Sequence, residues 1–340
     1  MDSLPKTYKA WVVESKDAPL TLVERELQQP QAGEVLIKTI ACGVCFTDVA
    51  MQRGEMGNVY PRVPGHEIVG DVVALGEGVQ EFQVGDRVGG AWHGGHDNVC
   101  RACRRGQFQV CKKVAYNGAS RDGGYAEYTT LRSEATVRVP KDMDPAATAP
   151  LLCAGITVFN GIRKMHIEQG NLVVVQGLGG LGHMAVQYAH KMGYKVAVLS
   201  TSDAKKDFAL GLGANYFINT SAEDPVRRLQ ELGGAALIVA TAPSAKTVTP
   251  LTAGLAELGR ILLLAAAGPI EINTNDLITG LRTAQGWMTG NALDAEETVD
   301  FSKHFDVNCM IEKFPFLEAP KAVEHMIAGN VRFRGVLIFE

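Results

Sequence analysis

The sequence lacks three features that would each point to a particular class of protein. No apolar run approaches the roughly 20 residues that a membrane-spanning helix needs; residues 261–267, ILLLAAA, are among the longest. Positive charge is not in excess, because 33 Lys and Arg are interspersed with 37 Asp and Glu, so we expect no nucleic-acid partner. The first residues, MDSLPKTYKA, contain no signal-peptide core, which favours a cytoplasmic protein without a membrane role.

Two residue types are conspicuous instead. Glycine accounts for 37 of 340 residues, whereas an average chain of this length holds about 24, and this excess indicates many tight turns. The seven cysteines are an odd number, which does not suit a disulfide framework. In a reducing compartment, clustered cysteines more often bind a metal.

The spacing of apolar residues changes near residue 155. The earlier part has short runs separated by Gly and Pro, a pattern typical of mostly β-structure. The later part alternates strands with helices, which predicts an α/β fold with a doubly wound parallel sheet. Its predicted strands are 171–176, 195–199, 216–218, 236–240, 260–264 and a sixth near 286–288, and its predicted helices are 181–192, 203–212, 225–232 and 246–256.

The predicted domains follow from this change of pattern. Residues 155–290 form the doubly wound domain. Residues 1–154 form the mostly β domain, and residues 291–340 join it because their last segment, VRFRGVLIFE, has the pattern of a strand.

A glycine-rich loop follows the first strand of the second domain. Gly177, Gly179 and Gly182, with Gly180 and Leu181 between the last two, form a G-x-G-x-x-G motif between a strand and a helix. This context predicts dinucleotide binding, with the pyrophosphate at the helix N-terminus. A purely structural glycine-rich turn is the alternative.

The end of the next strand bears on the choice of dinucleotide. NAD-binding proteins usually place Asp or Glu there to bind the ribose 2′-hydroxyl, and this chain has Ser200. Hydroxyl and ammonium groups attract a 2′-phosphate that a carboxylate would repel, so the sequence favours NADP(H). NAD(H) remains possible if Asp203 binds the ribose. The residues expected at the 2′ position are Ser200, Thr201, Ser202 and Lys205.

The first group of cysteines is compact. Cys100, Cys103 and Cys111 have the spacing of a structural zinc site. Such a site needs a fourth ligand, for which Asp97 and His96 are both candidates. The alternative is that the thiols bind no metal.

A second group is dispersed along the chain. Cys45, His66 and Cys153 are each unremarkable by spacing, and each could be an ordinary core residue. Taken together they match a zinc site with two thiolates and one imidazole, whose fourth position stays open for substrate.

Several motifs in order identify the chain as similar to the zinc-dependent medium-chain alcohol dehydrogenases, including the tetrameric yeast and bacterial enzymes and the cinnamyl alcohol dehydrogenases. The motifs are GVCFTD, PGHEIVGDVVALG, GDRV, CRACRRGQFQVC, DGGYAEY, PLLCAGITV and GLGGLGHMAVQYA. The resemblance implies a GroES-like catalytic domain and a Rossmann cofactor domain. It also implies two zinc ions per chain, a catalytic one on Cys45, His66 and Cys153 and a structural one in the compact group.

The resemblance assigns further roles near the catalytic zinc. Glu67 is a carboxylate that can approach the metal, and Asp48 orients the ligand histidine. Thr47 hydrogen-bonds the substrate alcohol, Trp92 lines its pocket, and Arg334 contacts the cofactor pyrophosphate. The implied reaction interconverts alcohols with aldehydes or ketones by hydride transfer, with aliphatic or aryl substrates, in a homodimer or homotetramer.

Three positions depart from the family pattern. Phe46 replaces a common histidine that meets the pyrophosphate, and Ala50 replaces a proton-relay histidine. Asp97 stands where relatives usually have the first of four cysteines. A non-catalytic protein that senses a ligand or cofactor therefore remains an alternative, as does an NAD(H)-dependent dehydrogenase.

Overall fold

The computed structural model describes residues 4–57 and 60–340. The chain divides into two compact units, which we call unit 1 (Met1–Ile156 with Thr289–Glu340) and unit 2 (Thr157–Met288). In the described part of the chain, no single helix has the length and apolar character to cross a membrane. One bent pair, Pro145–Leu152 with Ala154–Arg163, meets those criteria only when its two halves are combined.

Both units contain strands, most of them short. They are β1 (Thr7–Val13), β2 (Leu20–Glu26), β3 (Glu34–Val44), β4 (Ile68–Leu75), β5 (Arg87–Gly90), β6 (His93–Gly95), β7 (Ala115–Tyr116), β8 (Tyr128–Arg132), β9 (Thr136–Arg138), β10 (Leu172–Gln176), β11 (Lys195–Ser200), β12 (Tyr216–Asn219), β13 (Ala235–Ala240), β14 (Leu255–Leu263), β15 (Thr283–Gly286), β16 (Ile311–Pro315) and β17 (Arg334–Ile338).

The helices lie mainly in unit 2 and near the C-terminus. They are α1 (Phe46–Gln52), α2 (Pro145–Thr148), α3 (Ala154–Arg163), α4 (Gly182–Lys191), α5 (Lys206–Gly211), α6 (Pro225–Glu231), α7 (Ala245–Val248), α8 (Thr274–Gly280), α9 (Ala292–Phe305) and α10 (Ala319–Ile327). Short 3₁₀ helices cover Cys103–Arg105, Phe108–Val110, Ser133–Ala135, Ala149–Leu152, Asp203–Lys205, Thr249–Gly254 and Phe316–Glu318.

Unit 1 is mostly β-structure, as its short apolar runs predicted. Its main sheet has the order β16-β17-β3-β4-β5-β9, with β8 also paired to β3. Strand β3 forms antiparallel pairs with β4, β8 and the C-terminal β17, and its side chains Val35 and Ile37 are fully buried. Because β3 is held on both sides, it fixes the position of the chain at its end, where Cys45 begins the turn into α1.

Unit 2 contains a six-stranded sheet with the order β12-β11-β10-β13-β14-β15. Every pair in it is parallel, and all five residues of β10 are buried. The chain starts in the middle of this sheet, builds one side and then the other, so the predicted doubly wound parallel sheet is confirmed. Ligands of such sheets bind at the carboxyl ends of the strands where the order reverses, and Gly177 follows β10 there.

The predicted helix over 246–256 is wrong. Only Ala245–Val248 is α-helical, Thr249–Gly254 is a 3₁₀ helix, and Leu255 already belongs to β14. Pro250 lacks the backbone N–H that a continuing α-helix requires. Leu251 and Leu255 are both buried. Their separation of four residues suggested one face of a helix, but they pack into unit 2 from a 3₁₀ helix and a strand.

The sixth strand of unit 2 is also misplaced in the prediction. It lies at Thr283–Gly286, whereas the apolar residues Trp287 and Met288 drew the expected position to 286–288. Pairing with β14, from Arg260 opposite Thr283 to Leu263 opposite Gly286, sets its position. An edge strand of this kind needs little apolar character, so its sequence gives a weak signal.

Candidate metal centres and dinucleotide loop

Four side chains from distant parts of unit 1 converge on one point. One ligand atom from each of Cys45, His66, Glu67 and Cys153 lies within 4.8 Å of all the others, and the Sγ atoms of Cys45 and Cys153 are 3.9 Å apart. Two thiolates on a tetrahedral zinc, with Zn–S bonds of about 2.3 Å, would be about 3.8 Å apart. The donor set and its spacing therefore fit zinc. We refer to these four residues as the Cys45 cluster.

The two thiols of this cluster differ in acidity. A hydrogen bond from Cys153 lowers the pKa of the Cys45 thiol well below its usual range, and the same hydrogen bond raises the pKa of Cys153. The two thiols are therefore not equivalent, and Cys45 is the one that gives up its proton more readily.

Asp48 holds two members of the cluster in place. It lies in the first turn of α1, and its Oδ2 accepts a hydrogen bond from the backbone N–H of Cys45 at 2.9 Å. Its Oδ1 is 3.1 Å from Nδ1 of His66. Since a carboxylate only accepts, Nδ1 carries the proton, and Nε2 is left as the donor for a metal.

The environment of His66 is both buried and negatively charged. Burial opposes protonation of the imidazole, but the charges of Asp48 and Cys45 together raise the pKa of His66 well above its usual value. The second proton of a protonated His66 would be on Nε2. A cation bound at Nε2 would take the place of that proton and balance the negative charge of the surroundings.

Glu67 and Arg334 form a buried ion pair beside the cluster. Oε1 of Glu67 is 3.2 Å from a guanidinium nitrogen of Arg334, and the glutamate side chain is fully buried. Burial raises the pKa of Glu67 to about 7, against the opposing effect of Arg334. Gly43 makes this arrangement possible, because a Cβ there would overlap the Glu67 carboxylate. Arg334 was expected at the cofactor pyrophosphate; in this structure its guanidinium contacts Glu67 and the carbonyl oxygen of Val44.

Aromatic rings and one hydroxyl border the Cys45 cluster. The Trp92 ring lies edge-on to His66, with centroids 5.0 Å apart, and stacks on Tyr116 at 4.7 Å. Thr47 places its Oγ1 3.6 Å from Sγ of Cys45. The surroundings thus combine an apolar wall with one polar group that can exchange a proton.

The second candidate centre consists of Asp97, Cys100, Cys103 and Cys111, which we call the lobe cluster. Its ligand atoms all lie within 4.8 Å of one another. The Sγ atom of Cys100 is 3.6 Å from that of Cys103 and 3.8 Å from that of Cys111, again close to the spacing on a tetrahedral zinc. Hydrogen bonds from the backbone of Cys100 and Val99 hold the pKa of Asp97 well below its usual range. Its carboxylate is therefore an ionised donor.

His96, the other candidate for the fourth position, points elsewhere. Its Nδ1 is 3.2 Å from Nε2 of His93, and its Nε2 is 2.8 Å from Oδ1 of Asn98. The ring also stacks on Phe108 at 4.1 Å. Both ring nitrogens are thus engaged away from the thiols, and of the two candidates it is Asp97 that lies with them.

The glycine loop of unit 2 follows β10 directly. Gly177 has a positive φ of 89°, and a Cβ there would lie 2.9 Å from Cβ of Ala242. A Cβ at Gly182 would overlap the carbonyl oxygen of Gly177, whereas one at Gly179 would meet nothing within 4 Å. The first and last glycines are therefore required by packing. The space beside Gly179 is open and suits a group that approaches the backbone closely.

Among the residues after β11, Lys205 contacts the glycine loop and Asp203 is paired elsewhere. Ser200 ends the strand, and the Lys205 ammonium donates to the carbonyl oxygen of Leu178 in the loop at 3.0 Å. Asp203 instead accepts a hydrogen bond from Asn219 at 2.9 Å. A positive charge is thus fixed at the loop, while Thr201 and Ser202 are exposed.

One residue near the Cys45 cluster is not predicted by any sequence pattern. Tyr125 is fully buried, and its hydroxyl donates to Oδ2 of Asp48 at 3.1 Å. The motif DGGYAEY, which contains it, was recognised only as a sign of resemblance. Its two glycines before an aromatic residue signal a close backbone approach, but the partner of that approach lies sixty residues earlier and leaves no local pattern.

Comparisons with known proteins agree on one family. A family model described as the alcohol dehydrogenase GroES-like domain matches residues 31–141, and one described as zinc-binding dehydrogenase matches residues 180–304. An alcohol dehydrogenase of Penicillium expansum is 49% identical over 333 residues, which cover 98% of each chain. These matches confirm the expected GroES-like assignment of unit 1.

Solved structures show the same similarity. A cinnamyl alcohol dehydrogenase from Sorghum bicolor superposes with a TM-score of 0.88 at 31% identity, over 98% of each chain. The structure of CAD from Helicobacter pylori complexed with NADP(H) gives a TM-score of 0.85 at 27% identity, over 98% of this chain and 99% of that one.

Proposed function

Since the chain belongs to the family of zinc-dependent medium-chain alcohol dehydrogenases, we propose that it interconverts alcohols and aldehydes or ketones with zinc in unit 1 and NADP(H) on unit 2. That it is an alcohol dehydrogenase follows from the family. The convergence of Cys45, His66 and Cys153 on one point carries the zinc part of the proposal, because these residues lie far apart in sequence and together match the ligand set of an open zinc site.

The Cys45 cluster would hold the catalytic zinc through Cys45, His66 and Cys153. Zinc bound there supplies Lewis acidity toward the oxygen of an alcohol or carbonyl compound. Asp48 keeps the His66 proton on Nδ1 and so leaves Nε2 as the ligand atom. Glu67, buried and paired with Arg334, provides a further carboxylate close to the open position.

Thr47 is proposed to move the proton of the substrate hydroxyl. Its Oγ1 lies 3.6 Å from the Cys45 sulfur, so it is near where a substrate oxygen would bind. An alcohol that is oxidised must lose its hydroxyl proton, and a bound nicotinamide would supply the acceptor for the hydride. Because Ala50 cannot relay a proton, Oγ1 of Thr47 is the group that would take it.

The substrate is proposed to be a medium-sized aliphatic or aryl alcohol or aldehyde. Trp92 is buried and stacked on Tyr116 beside His66, which gives a flat apolar wall next to the metal position. Such walls favour apolar or aromatic substrates over charged ones.

The lobe cluster is proposed to hold a second, structural zinc on Asp97, Cys100, Cys103 and Cys111. Four ligands fill the tetrahedral coordination of zinc and leave no position for substrate. A reducing compartment such as the cytosol would keep the five thiols of the two clusters available as ligands.

NADP(H) is the proposed cofactor. The open space at Gly179 and the helix N-terminus of α4 suit a pyrophosphate. Ser200, with Lys205 tied to the loop, offers a hydroxyl and a positive charge for the 2′-phosphate. Asp203 is engaged with Asn219, which further supports NADP(H) over NAD(H).

The proposed assembly is a homodimer or homotetramer that pairs through unit 2. Strand β15 forms one edge of its sheet. Next to that strand, the apolar side chains Ile278 and Leu281 are 72% and 71% exposed. A second copy of the chain could cover them.

The experiment that tests the proposal combines metal analysis with a substrate panel. We expect the purified wild type to contain two zinc ions per chain and to oxidise NADPH in the presence of aliphatic or aryl aldehydes. Cys45→Ser should retain NADPH binding but lose turnover, because one ligand of the Cys45 cluster is gone. Full turnover by a metal-free Cys45→Ser protein would exclude the proposed zinc chemistry. Absence of turnover by a wild type loaded with zinc and cofactor would instead favour a sensing role.

A further inference from the structure

The buried Tyr125 has no part in the function proposed above, yet it contacts the residue that orients His66. Its hydroxyl lies 3.1 Å from Oδ2 of Asp48, and the side chain is fully buried. We propose that Tyr125 is a positioning residue that fixes, through Asp48, both the orientation of His66 and its strength as a metal donor. This inference rests on the proposed role of His66 as a zinc ligand.

The carboxylate of Asp48 has all its acceptor positions in use. Oδ2 accepts from the backbone N–H of Cys45 at 2.9 Å and from Tyr125. Oδ1 accepts from the backbone N–H of Gly65 at 3.2 Å and from Nδ1 of His66 at 3.1 Å. An ionised carboxylate offers about four lone-pair sites, so these four donors leave Asp48 no alternative orientation. Among them, the Tyr125 hydroxyl alone can be removed without changing the backbone or a proposed ligand.

Tyr125 is itself held against the segment that carries His66. Its backbone N–H donates to the carbonyl oxygen of Pro64, and that of Gly124 to the carbonyl oxygen of Gly65, both at 3.0 Å. The ring covers Gly65, where a Cβ would lie only 2.5 Å from Cδ1 of Tyr125. The tyrosine and the histidine segment therefore form one rigid contact, and the motif DGGYAEY supplies it.

The direction of the effect follows from the charge on Asp48. Without the Tyr125 hydroxyl, Oδ2 keeps one hydrogen-bond donor fewer in a buried place, so the negative charge of the carboxylate is less stabilised. It then attracts the Nδ1 proton of His66 more strongly, and Nε2 becomes richer in electrons. A metal with a more electron-rich ligand acidifies its bound group less, and a carboxylate with more freedom to turn orients the imidazole less well.

The test compares Tyr125→Phe with Tyr194→Phe. Phenylalanine keeps the ring over Gly65 and removes only the hydroxyl. Tyr194 is the matched control, because its largely buried hydroxyl donates to the carbonyl oxygen of Ile167 at 2.9 Å in unit 2. Three quantities are measured on the full-length protein: the rate of zinc release to a chelator, the d–d absorption after cobalt substitution, and the pH midpoint of kcat for alcohol oxidation.

For Tyr125→Phe we expect zinc release about 3- to 10-fold faster, because the poorer orientation of the imidazole outweighs its stronger donation. This effect is smaller than the roughly 10- to 100-fold loss of metal affinity typical when a direct partner of a metal ligand is removed. We also expect shifted cobalt bands and a pH midpoint higher by about half a unit. Tyr194→Phe should match the wild type in all three. Unchanged release rate and cobalt bands in Tyr125→Phe would reduce Tyr125 to a structural role.

A second variant covers the case in which Tyr125→Phe does not fold. Site-specific 3-fluorotyrosine at position 125 keeps the ring and makes the hydroxyl a stronger donor. The pH midpoint of kcat should therefore move downward, opposite to the shift expected for Tyr125→Phe. An unmoved midpoint contradicts the inference. If the wild type binds neither zinc nor cobalt at the Cys45 cluster, the proposed function fails and this inference with it. Metal binding in the wild type with no response at position 125 rejects the inference alone.

Discussion

For the fourth ligand of the lobe cluster, the sequence left His96 and Asp97 as candidates, and the structure favours Asp97. Its carboxylate lies among the three thiols of the lobe cluster, with Sγ of Cys103 3.3 Å from Oδ1. A carboxylate is a harder donor than a thiolate and less favoured in such a set. Backbone hydrogen bonds from Val99 and Cys100 compensate by fixing its orientation.

Substituting this carboxylate should remove one metal ion. We expect Asp97→Ala to contain one zinc per chain and to melt about 5 °C or more below the wild type, because a structural zinc contributes directly to folding. His96→Gln is the matched control at the neighbouring position, and it should keep two zinc ions because both its ring nitrogens face away from the thiols. Elemental analysis and thermal melting measure both effects. Loss of zinc in His96→Gln but not in Asp97→Ala would reverse the assignment.

Ser200 leaves the end of β11 uncharged, whereas an Asp at this position would be negative. We expect Ser200→Asp to lower the ratio of kcat/KM for NADPH to that for NADH by about tenfold or more, since a new carboxylate repels the 2′-phosphate. Ser200→Ala separates the added charge from the lost hydroxyl and should change the ratio less. Steady-state kinetics with both cofactors gives the answer, and an unchanged ratio in Ser200→Asp would remove Ser200 from the 2′ position.

At the level of elements, two glycines in the turn from β10 into α4 have different proposed roles, Gly182 in packing and Gly179 in ligand binding. Gly182→Ala should lower Tm, because its Cβ overlaps the Gly177 carbonyl oxygen. Gly179→Ala should melt like the wild type, because its Cβ enters open space. It should nevertheless bind NADPH about tenfold more weakly, since the added methyl group keeps the pyrophosphate from the backbone. Calorimetry and fluorescence titration test the pair. Wild-type NADPH affinity in Gly179→Ala would contradict the dinucleotide interpretation of the loop.

In the short strand β6, the buried His93 is expected to make the free energy of unfolding depend on pH. Burial, with smaller effects of His96 and Arg132, lowers the pKa of His93 from 6.5 to about 4. Below pH 6.5 the unfolded chain therefore binds a proton that the folded chain refuses. The free energy of unfolding should fall as pH decreases from 6.5 to about 4, by about 3 kcal/mol from this residue.

The variant His93→Gln should flatten this pH dependence. It removes the titrating group while keeping a polar side chain in the strand, so the slope of unfolding free energy against pH should become smaller by up to one proton. His304→Gln, at an exposed position of α9, is the control and should keep the wild-type slope. Urea unfolding at several pH values measures both; equal slopes in His93→Gln and the wild type would show that His93 does not titrate in this range.

At the level of the whole molecule, the exposed apolar residues of unit 2 determine the expected assembly. Ile278→Glu should reduce the mass in solution from that of an oligomer to that of a monomer, because a buried unpaired carboxylate is costly in an interface. Val84→Glu introduces the same charge at a half-exposed apolar position of unit 1 and should leave the mass unchanged. Light scattering after gel filtration distinguishes them, and an unchanged oligomer in Ile278→Glu would place the interface elsewhere.

The sequence predicted the parts of the fold that depend on local pattern. The strand predicted over 216–218 is β12, which extends over Tyr216–Asn219, and the parallel sheet followed from alternating strands and helices. The helix over 246–256 and the position of β15 were wrong. Pro250 and the pairing partner of an edge strand determine those elements, and neither shows in the spacing of apolar residues.

The sequence alone determined which residues could perform the chemistry, because a metal or a dinucleotide needs particular side chains and particular glycines wherever they lie. Only the tertiary structure decided which of them meet. It placed Asp97 rather than His96 among the thiols, paired Arg334 with Glu67, and put Tyr125 on Asp48. The contacts of Arg334 and Tyr125 join segments far apart along the chain, where packing between strands sets the distance between side chains. The position of Asp97 depends on the fold of one loop, in which spacing along the sequence left both Asp97 and His96 possible.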